Sequence, residues 1–592
     1  MRATSPDASC PFKYHIGPNP SCAGRMDHVN ADHLAVIPPL RRDPPRCLES
    51  SCNQLLEVRI MAYAEDYASF RWDIPEHYNF GTDVVDRLAQ DPSRLALRYM
   101  AADGAVEDYT FRDMAEGSDR IGHALAAAGV RRGESVLLVL PKLPIWHQAM
   151  VGVLKIGAVA IPCSEMLRER DLLYRANHSQ ATAIITTPEL SPVVAAIAQR
   201  APHLQSRFTT APMEGFSDLS AAMAAAPPTS PAVRTRSDEP ALCYYTSGTT
   251  GEPKAVLHLH RYPIGHRVTA RHWIGLQEGD LFWSTSATGW AKAAWSVLFG
   301  PWELGVATFM YGGRFEPRRH LEILSSQPVT ALCAPPTEFR LMVKEDLARY
   351  PMPSLRTAVA AGEPLNPEVI RLFQQETGIT IRDGYGQTET VCIVANHPSL
   401  AVRPGSMGLP TPGHDVRVLA EDGSDLPPGE VGDVSIRDDA PSIFAGYWHA
   451  EEATRATRRG AYYITGDRAT RDDDGYFWFV GRADDVIISS GYRIGPFEVE
   501  SALIEHPAVL EAAVVASPDP DRGEIVKAFI TLRSGAEPSD ALVRELQEHC
   551  KLVTAPYKYP RAIEFVQELP KTTSGKIRRV ELRQREWAKK DE

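Results

Sequence analysis

The chain has 592 residues, which at about 100–200 residues per domain leaves room for two to four domains. Its 63 Lys and Arg against 75 Asp and Glu leave a net charge of −12, which excludes a protein that holds nucleic acid or anionic membrane by overall charge. With 44% hydrophobic and 23% charged residues it is globular in composition, and nine cysteines are too few for a disulfide scaffold.

Four of the cysteines (Cys10, Cys22, Cys47, Cys52) fall in the first 52 residues, and no Cys or His spacing matches a metal site, so a reducing compartment is expected. The most apolar stretch, residues 151–163, carries Lys155 and is shorter than the ~20 residues a spanning helix needs. Residues 1–60 are rich in Pro, Cys, Ser and Arg and lack helical or strand periodicity. Asp7, Pro11 and Lys13 stand where a signal peptide is apolar, and Asp7, Asp27, Asp32 and Asp43 count against a mitochondrial transit peptide. The expectation is a cytoplasmic protein whose first 60 residues are a disordered extension, or lie ahead of a true start at Met61.

From Phe80 onward helix-like and strand-like segments alternate: helix 113–129, strand 135–140, helix 144–156, strand 158–162, helix 168–177 and strand 181–186. A Pro/Ala stretch at 221–233 reads as a linker, after which strand 357–361, helix 366–377 and strand 379–383 resume the pattern. Such alternation predicts an α/β fold: a large N-terminal domain at 78–480 of parallel and mixed sheets with covering helices. The charged turn Gly481-Arg482-Ala483-Asp484-Asp485 breaks the composition. Beyond it, strands at 486–489, 511–516 and 525–532 and helices at 496–505 and 539–551 predict a small hinged α+β domain at 485–588.

Four motifs carry the chemistry. Tyr245-Thr246-Ser247-Gly248-Thr249-Thr250-Gly251-Glu252-Pro253-Lys254 follows an apolar strand and offers N–H and O–H donors suited to polyphosphate, with the charge of Lys254. It is not a Walker A loop, because Glu252 and Pro253 separate Gly251 from Lys254; a plain Gly/Ser/Thr surface turn is the competing reading. Asp383-Gly384-Tyr385-Gly386-Gln387-Thr388-Glu389-Thr390 lies at the carboxyl end of strand 379–383, where open α/β sheets bind ligands. There Tyr385 offers a stacking face and Glu389 a hard oxygen for Mg²⁺. Asp467, Arg482 and Arg493 suit ribose and phosphate, although isolated Asp and Arg in turns are usually only solvated. Lys576 sits in Pro570-Lys571-Thr572-Thr573-Ser574-Gly575-Lys576-Ile577, a loop whose lysine, taken alone, would be a solvated tail residue.

Together and in this order the motifs resemble the adenylate-forming superfamily of acyl-CoA synthetases, adenylation domains and luciferases, over about residues 78–588. Features similar to the medium-chain acyl-CoA synthetases are Thr288-Gly289-Trp290, Phe299-Gly300-Pro301-Trp302, Asp521-Arg522-Gly523-Glu524 and residues 553–560. The resemblance implies an AMP-forming ligase that activates a medium-chain, branched or aryl carboxylate with Mg-ATP and passes the acyl group to coenzyme A. It assigns Thr246, Ser247, Gly248, Thr249, Thr250, Gly251 and Lys254 to the β- and γ-phosphates. Asp383, Gly384, Tyr385, Gly386, Gln387 and Thr388 go to adenine and the α-phosphate, and Gly362, Glu363 and Pro364 border the adenine. Glu389 would bind Mg²⁺, Asp467 and Arg482 the ribose, and Arg493 a phosphate.

By the same resemblance Lys576 bridges carboxylate and α-phosphate, with Thr388 and Arg493 beside it as catalytic groups, and Asp484 is the hinge. Ser490, Gly491 and Tyr492 would line the pantetheine tunnel, and Arg522 and Lys551 would hold the phosphates of coenzyme A. Trp290 and Gly386 are expected in the acyl pocket, because acetyl-CoA synthetases carry a bulky Trp where this chain has Gly386. The stretch Cys163-Ser164-Glu165-Met166 departs from the more polar, glycine-containing stretch of the mammalian members. A stand-alone enzyme loading a carrier protein and a non-catalytic acyl-nucleotide binder are the alternatives; the first lacks a carrier domain in this chain, and the second would be expected to have lost Lys576, Glu389 or Asp467. No nucleic-acid partner is expected, and the oligomeric state is left open.

Overall fold

The computed structural model describes residues 62–227, 229–246, 252–489, 492–520, 522–571 and 576–588. The chain divides into the units Met1–Phe70 and Arg71–Glu592, and within the first a helix runs over residues 62–69. The readings made for residues 1–60 therefore lie outside the described residues.

In the second unit, the predicted βαβ alternation builds two sheets. One has eight strands, of which Pro240–Thr246, Val159–Pro162, Ser135–Val139, Ala183–Thr186, Ser206–Thr209 and Ser217–Asp218 run parallel in that spatial order. The other has fourteen strands, with a parallel run of Ile381–Gln387, Thr357–Ala361, Ala331–Ala334, Leu281–Ser284, Ala307–Tyr311 and Leu95–Met100. Parallel strands put all their carboxyl ends at one edge, and that edge positions the site.

The helices begin where local chemistry starts them. Phe111–Ala127 opens on a capping box in which Thr110 Oγ1 accepts from the Asp113 backbone N–H and the Thr110 N–H donates to the Asp113 carboxylate. Pro144–Lys155 starts with Pro at its first position, and Pro367–Thr377 is capped by Asn366. Ile121, Leu125, Trp146 and Leu138 are fully buried in the cluster that joins these helices to the sheets. Lys155, the charge in the most apolar stretch, is also fully buried and pairs with Asp86 at 2.6 Å and Asp119 at 2.7 Å. A buried ammonium needs such partners. No helix among the described residues is long and apolar enough to cross a membrane.

Residues 487–565 form a separate five-stranded sheet, in which Val509–Asp519 and Gly523–Leu532 make a long antiparallel pair. Pro496–Glu505 and Asp540–Val553 cover it around Val499, Leu503, Val514, Ile530 and Leu546. The C-terminal helix Arg579–Ala588 has no counterpart in the sequence reading.

Two expectations change. The strand expected at 379–383 runs from Ile381 to Gln387 and folds back antiparallel onto Val391–Ala395, so most of its motif is hairpin rather than loop. The linker expected at 221–233 begins inside the helix Leu219–Ala225, capped by Asp218. The region 406–482, for which no strands were read, supplies the antiparallel strands Ser406–Pro410, Val416–Leu419, Gly432–Arg437, Tyr462–Arg471 and Phe477–Arg482.

Candidate active site

The candidate residues gather beyond the carboxyl ends of the parallel strands. Trp290 and Lys292 follow Leu281–Ser284, Gly362-Glu363-Pro364 follow Thr357–Ala361, and Asp383 lies within Ile381–Gln387. Gly362 has φ +103°, a conformation that side-chain-bearing residues rarely adopt. The position its Cβ would take is 4.0 Å from Lys576 Nζ. That ammonium arrives from more than 200 residues further along the chain. Glu363 accepts a hydrogen bond from the Thr337 hydroxyl at 2.7 Å, and Lys292 Nζ donates to the Ala361 carbonyl at 3.0 Å.

Lys576 is exposed, yet protein surrounds its ammonium closely enough that desolvation lowers its pKa. Lys292 and Arg482 push the same way, while Glu363 and Asp467 oppose. One cation thus senses Glu363, Asp467 and Arg482 together, so the groups expected around the α-phosphate and ribose share one space.

Asp467 and Arg482, fifteen residues apart, face each other across the antiparallel pair Tyr462–Arg471 and Phe477–Arg482. Their charges lie 3.9 Å apart. Buried Asp467 Oδ2 accepts from the Tyr385 hydroxyl at 2.7 Å and from Gln387 Nε2 at 2.6 Å. Gln387 in turn donates to the Thr465 carbonyl and accepts from the Tyr463 hydroxyl. Burial raises the pKa of Asp467 against these hydrogen bonds. Asp383 is pushed up to about 7 by burial alone; the Gly384 and Leu365 backbone amides and Lys292 oppose the rise.

The second and first motifs meet through residues that no motif flagged. Tyr447 donates its hydroxyl to Glu389 Oε1 at 3.0 Å, and Lys254 Nζ stands 4.7 Å from the centre of the same ring. His258 Nε2 lies 2.8 Å from the Thr388 carbonyl, which can only accept, so Nε2 carries the proton. Burial pushes the His258 pKa down to about 3, which keeps the ring neutral. Burial also raises the Glu389 pKa, opposed by Tyr447 and Lys254. Thr246 ends its strand at this edge; Ser247, Gly248, Thr249, Thr250 and Gly251 lie outside the described residues.

Trp290 is half-buried at the head of a short helix. Gly386 is different. A Cβ there would lie 1.6 Å from the Val391 carbonyl oxygen, across a hairpin in which Val391 itself has φ +79°. The glycine permits this close backbone approach, and its missing side chain does not point into open space. Contrary to the expectation for Gly386, a side chain there would meet the backbone of the facing strand before it could narrow an acyl pocket.

At the turn, Asp484 lies 3.5 Å from Arg482, and Arg583 of the C-terminal helix donates to the Asp484 carbonyl and to Asp485 Oδ1 at 2.5 Å. Arg493 lies on the strand Tyr492–Ile494; Ser490 and Gly491 fall outside the described residues. Tyr492 stacks on Tyr557 with ring centres 4.4 Å apart, and Lys551 pairs with Glu548 over the ring of Tyr559. Arg522 is exposed, with its backbone N–H on Asp519.

The family model described as AMP-binding enzyme matches residues 84–448, and the AMP-binding enzyme C-terminal domain matches residues 498–576. The mouse protein named acyl-coenzyme A synthetase ACSM3, mitochondrial, is 44% identical over 561 residues, 92% of this chain and 97% of its own. Human acyl-coenzyme A synthetase ACSM5, mitochondrial, is 46% identical over 547 residues, covering 90% and 94%. Among solved structures, an anthranilate CoA ligase in complex with anthranoyl-AMP is similar at a TM-score of 0.82 and 32% identity, over 88% of this chain and 99% of its own. A benzoate CoA ligase from Burkholderia xenovorans is similar at a TM-score of 0.77 and 30% identity, over 86% and 100%.

These names overturn the cytoplasmic expectation, since the curated relatives are mitochondrial proteins and point to that location instead. The expectation leaned on scattered acids in residues 1–60, and a handful of charges in a segment without periodicity is a weak measure of targeting.

Proposed function

The chain belongs to the AMP-binding enzyme family, and on that footing we propose that it is an AMP-forming acyl-CoA synthetase for medium-chain, branched or aryl carboxylic acids. A carboxylate attacks the α-phosphorus of ATP, pyrophosphate leaves, and the thiol of coenzyme A then displaces AMP from the acyl-adenylate. Such transfers depend on positioning and charge neutralisation more than on covalent help.

The observation that carries this reading is Lys576 Nζ beside Gly362 and within the field of Glu363 and Asp467. A partly desolvated cation there draws two anions, the carboxylate and the α-phosphate, into contact. Asp467 and Arg482 hold the ribose; Thr388 and Arg493 attend the phosphate; Lys254 and the loop from Thr246 receive the β- and γ-phosphates. The donor set fits magnesium: Glu389 offers one half-buried carboxylate near Lys254, and this ion is commonly held by one or two carboxylates together with substrate phosphates. Bound there, Mg²⁺ would neutralise phosphate charge.

Residues 485–588 act as a mobile domain hinged at Asp484, and Arg583 fastens the turn in the orientation that delivers Lys576. Rotation would exchange Lys576 for the strand bearing Tyr492, with Arg522 and Lys551 on the phosphates of coenzyme A. The product places the enzyme at the entry of fatty or aryl acids into lipid metabolism.

The test is release of pyrophosphate and AMP from Mg-ATP with acids from acetate to decanoate and benzoate, with and without coenzyme A. Turnover that requires coenzyme A and peaks above acetate is expected. Release indifferent to coenzyme A would transfer the reading to a carrier-protein acceptor, and no release with any acid would sink it.

Asp467→Ala is expected to raise KM for ATP at least tenfold and to lower the melting temperature. It strips the ribose of its acceptor and takes from the Tyr385 hydroxyl and the Gln387 amide the carboxylate to which both donate, leaving Gln387 the Thr465 carbonyl alone, a loss of about 1–3 kcal/mol for a donor left unsatisfied. An unchanged KM for ATP would remove Asp467 from the ribose site.

A further inference from the structure

Beyond the groups that handle ATP, the cleft holds a carboxyl that the proposed reaction does not use. Glu338 sits in the first turn of the helix Pro336–Met342, directly after the parallel strand Ala331–Ala334. Its Oε2 is buried, and the buried hydroxyl of Thr285, just beyond Leu281–Ser284, faces the same carboxyl and favours its anion. Lys292 and Lys142, the latter from the loop after Ser135–Val139, bring positive charge to the same carboxyl, and Glu363 opposes them. Two sheets and four separate segments thus converge on one acceptor.

That acceptor is close to the reacting end. Thr337, its chain neighbour, donates to Glu363 at 2.7 Å, and Glu363 adjoins Gly362, against which Lys576 Nζ rests. Lys292 acts on both Glu338 and Lys576. Glu338 is thereby tied to the reacting end through Thr337, Glu363 and Lys292.

A cleft for a plain hydrocarbon chain gains nothing from a buried carboxyl, since an unsatisfied polar atom penalises apolar contact. Burial pushes the Glu338 pKa up to about 7, opposed by Thr285, Lys292 and Lys142, so the group takes up or releases a proton readily near neutrality. In either form it accepts a hydrogen bond, and as the anion it also receives an ammonium.

We propose that Glu338 is a specificity-determining residue, which with Thr285 receives a hydroxyl or amino substituent on the acyl group and turns the enzyme toward hydroxy- and amino-substituted carboxylic acids. This rests on the acyl-CoA synthetase reading and deepens it. A site built to hydrogen-bond a substrate group rejects the analogue that lacks it far more strongly than an apolar pocket rejects a missing methylene.

The experiment compares matched acids: hexanoate with 6-hydroxy- and 6-aminohexanoate, and benzoate with its hydroxy- and aminobenzoate isomers, followed by coenzyme A-dependent AMP release. For the full-length enzyme, at least one substituted acid is expected to exceed its parent tenfold or more in kcat/KM. Glu338→Leu should erase that ratio and raise kcat/KM for the parent acids. Glu338→Gln, which keeps an acceptor, should retain most of the ratio, and it serves as the working variant if Glu338→Leu does not fold. A merely structural role would lower both members of each pair together. Parent acids preferred by the wild type, or a ratio unchanged in Glu338→Leu and Glu338→Gln alike, would overturn the assignment of Glu338 and leave the synthetase reading standing. Absence of coenzyme A-dependent release with every acid would overturn both.

Discussion

Lys576→Ala is expected to suppress formation of acyl-adenylate by about 10²–10³-fold, the ~3–4 kcal/mol that one preorganised donor to a developing charge is worth. Transfer of a preformed acyl-adenylate to coenzyme A should stay within a few-fold of wild type. The asymmetry follows from charge. In the first half-reaction a carboxylate and a phosphate must approach against their mutual repulsion, and the ammonium held beside Gly362 and Glu363 is placed to offset it. In the second, the acyl group is already activated as a mixed anhydride with AMP, and the attacking thiol needs no such bridge. Desolvation of Lys576 strengthens its interaction with anions, because the same charge acts through fewer intervening waters. The check is pyrophosphate release with acid and Mg-ATP, set against acyl-CoA formation from synthetic acyl-adenylate. A first half-reaction near wild type would remove Lys576 from its role. Equal loss in both would mean that the residue holds the lobes together rather than assisting one chemical step.

How much of this was legible depends on whether a feature is local. The βαβ part could be read because each helix carries its own period and cap, as Thr110 and Asp113 do for Phe111–Ala127. The antiparallel part could not. Ser406–Pro410 is buried at every position, and Val416–Leu419 spans only four residues, so neither shows the alternation that marks a strand with one wet face. Motif likeness found Asp467 and Arg482 singly, but their opposition is a property of strand register. Tyr447, His258 and Lys292 were missed because each is an isolated residue whose function arises only where distant segments meet. Tyr447 belongs to a two-residue strand that pairs with Lys254–Leu259 and reaches Glu389 from there. Glu338 offers one detectable signal, an acid in a largely apolar strand-to-helix junction (Ala334-Pro335-Pro336-Thr337-Glu338-Phe339) that belongs to no motif.

Gly386→Trp is expected to give a protein with a lowered melting temperature and at least a tenfold lower kcat/KM on every acid, short or long, and Gly386→Ala should move in the same direction. The cause is backbone. The first carbon of any side chain there meets the Val391 carbonyl oxygen at 1.6 Å and Cys392 Cα at 2.9 Å, so the hairpin must open rather than a side chain rotate. Overpacking usually costs ~1–3 kcal/mol, and a rigid backbone obstacle places this case at or above the upper end. The damage reaches the site directly. The Gln387 N–H donates to Thr390 Oγ1 across the turn, and the Gln387 side chain holds Asp467, so an opened hairpin loosens the ribose acceptor. If Gly386 were instead glycine only to leave room for the acyl chain, Gly386→Trp would melt like wild type and shift its preference toward acetate and propionate. The melting temperature and the chain-length profile, measured on one preparation, separate the two accounts. A stable acetate-preferring variant would show that the hairpin yields and that the aromatic side chain reaches the acyl space after all.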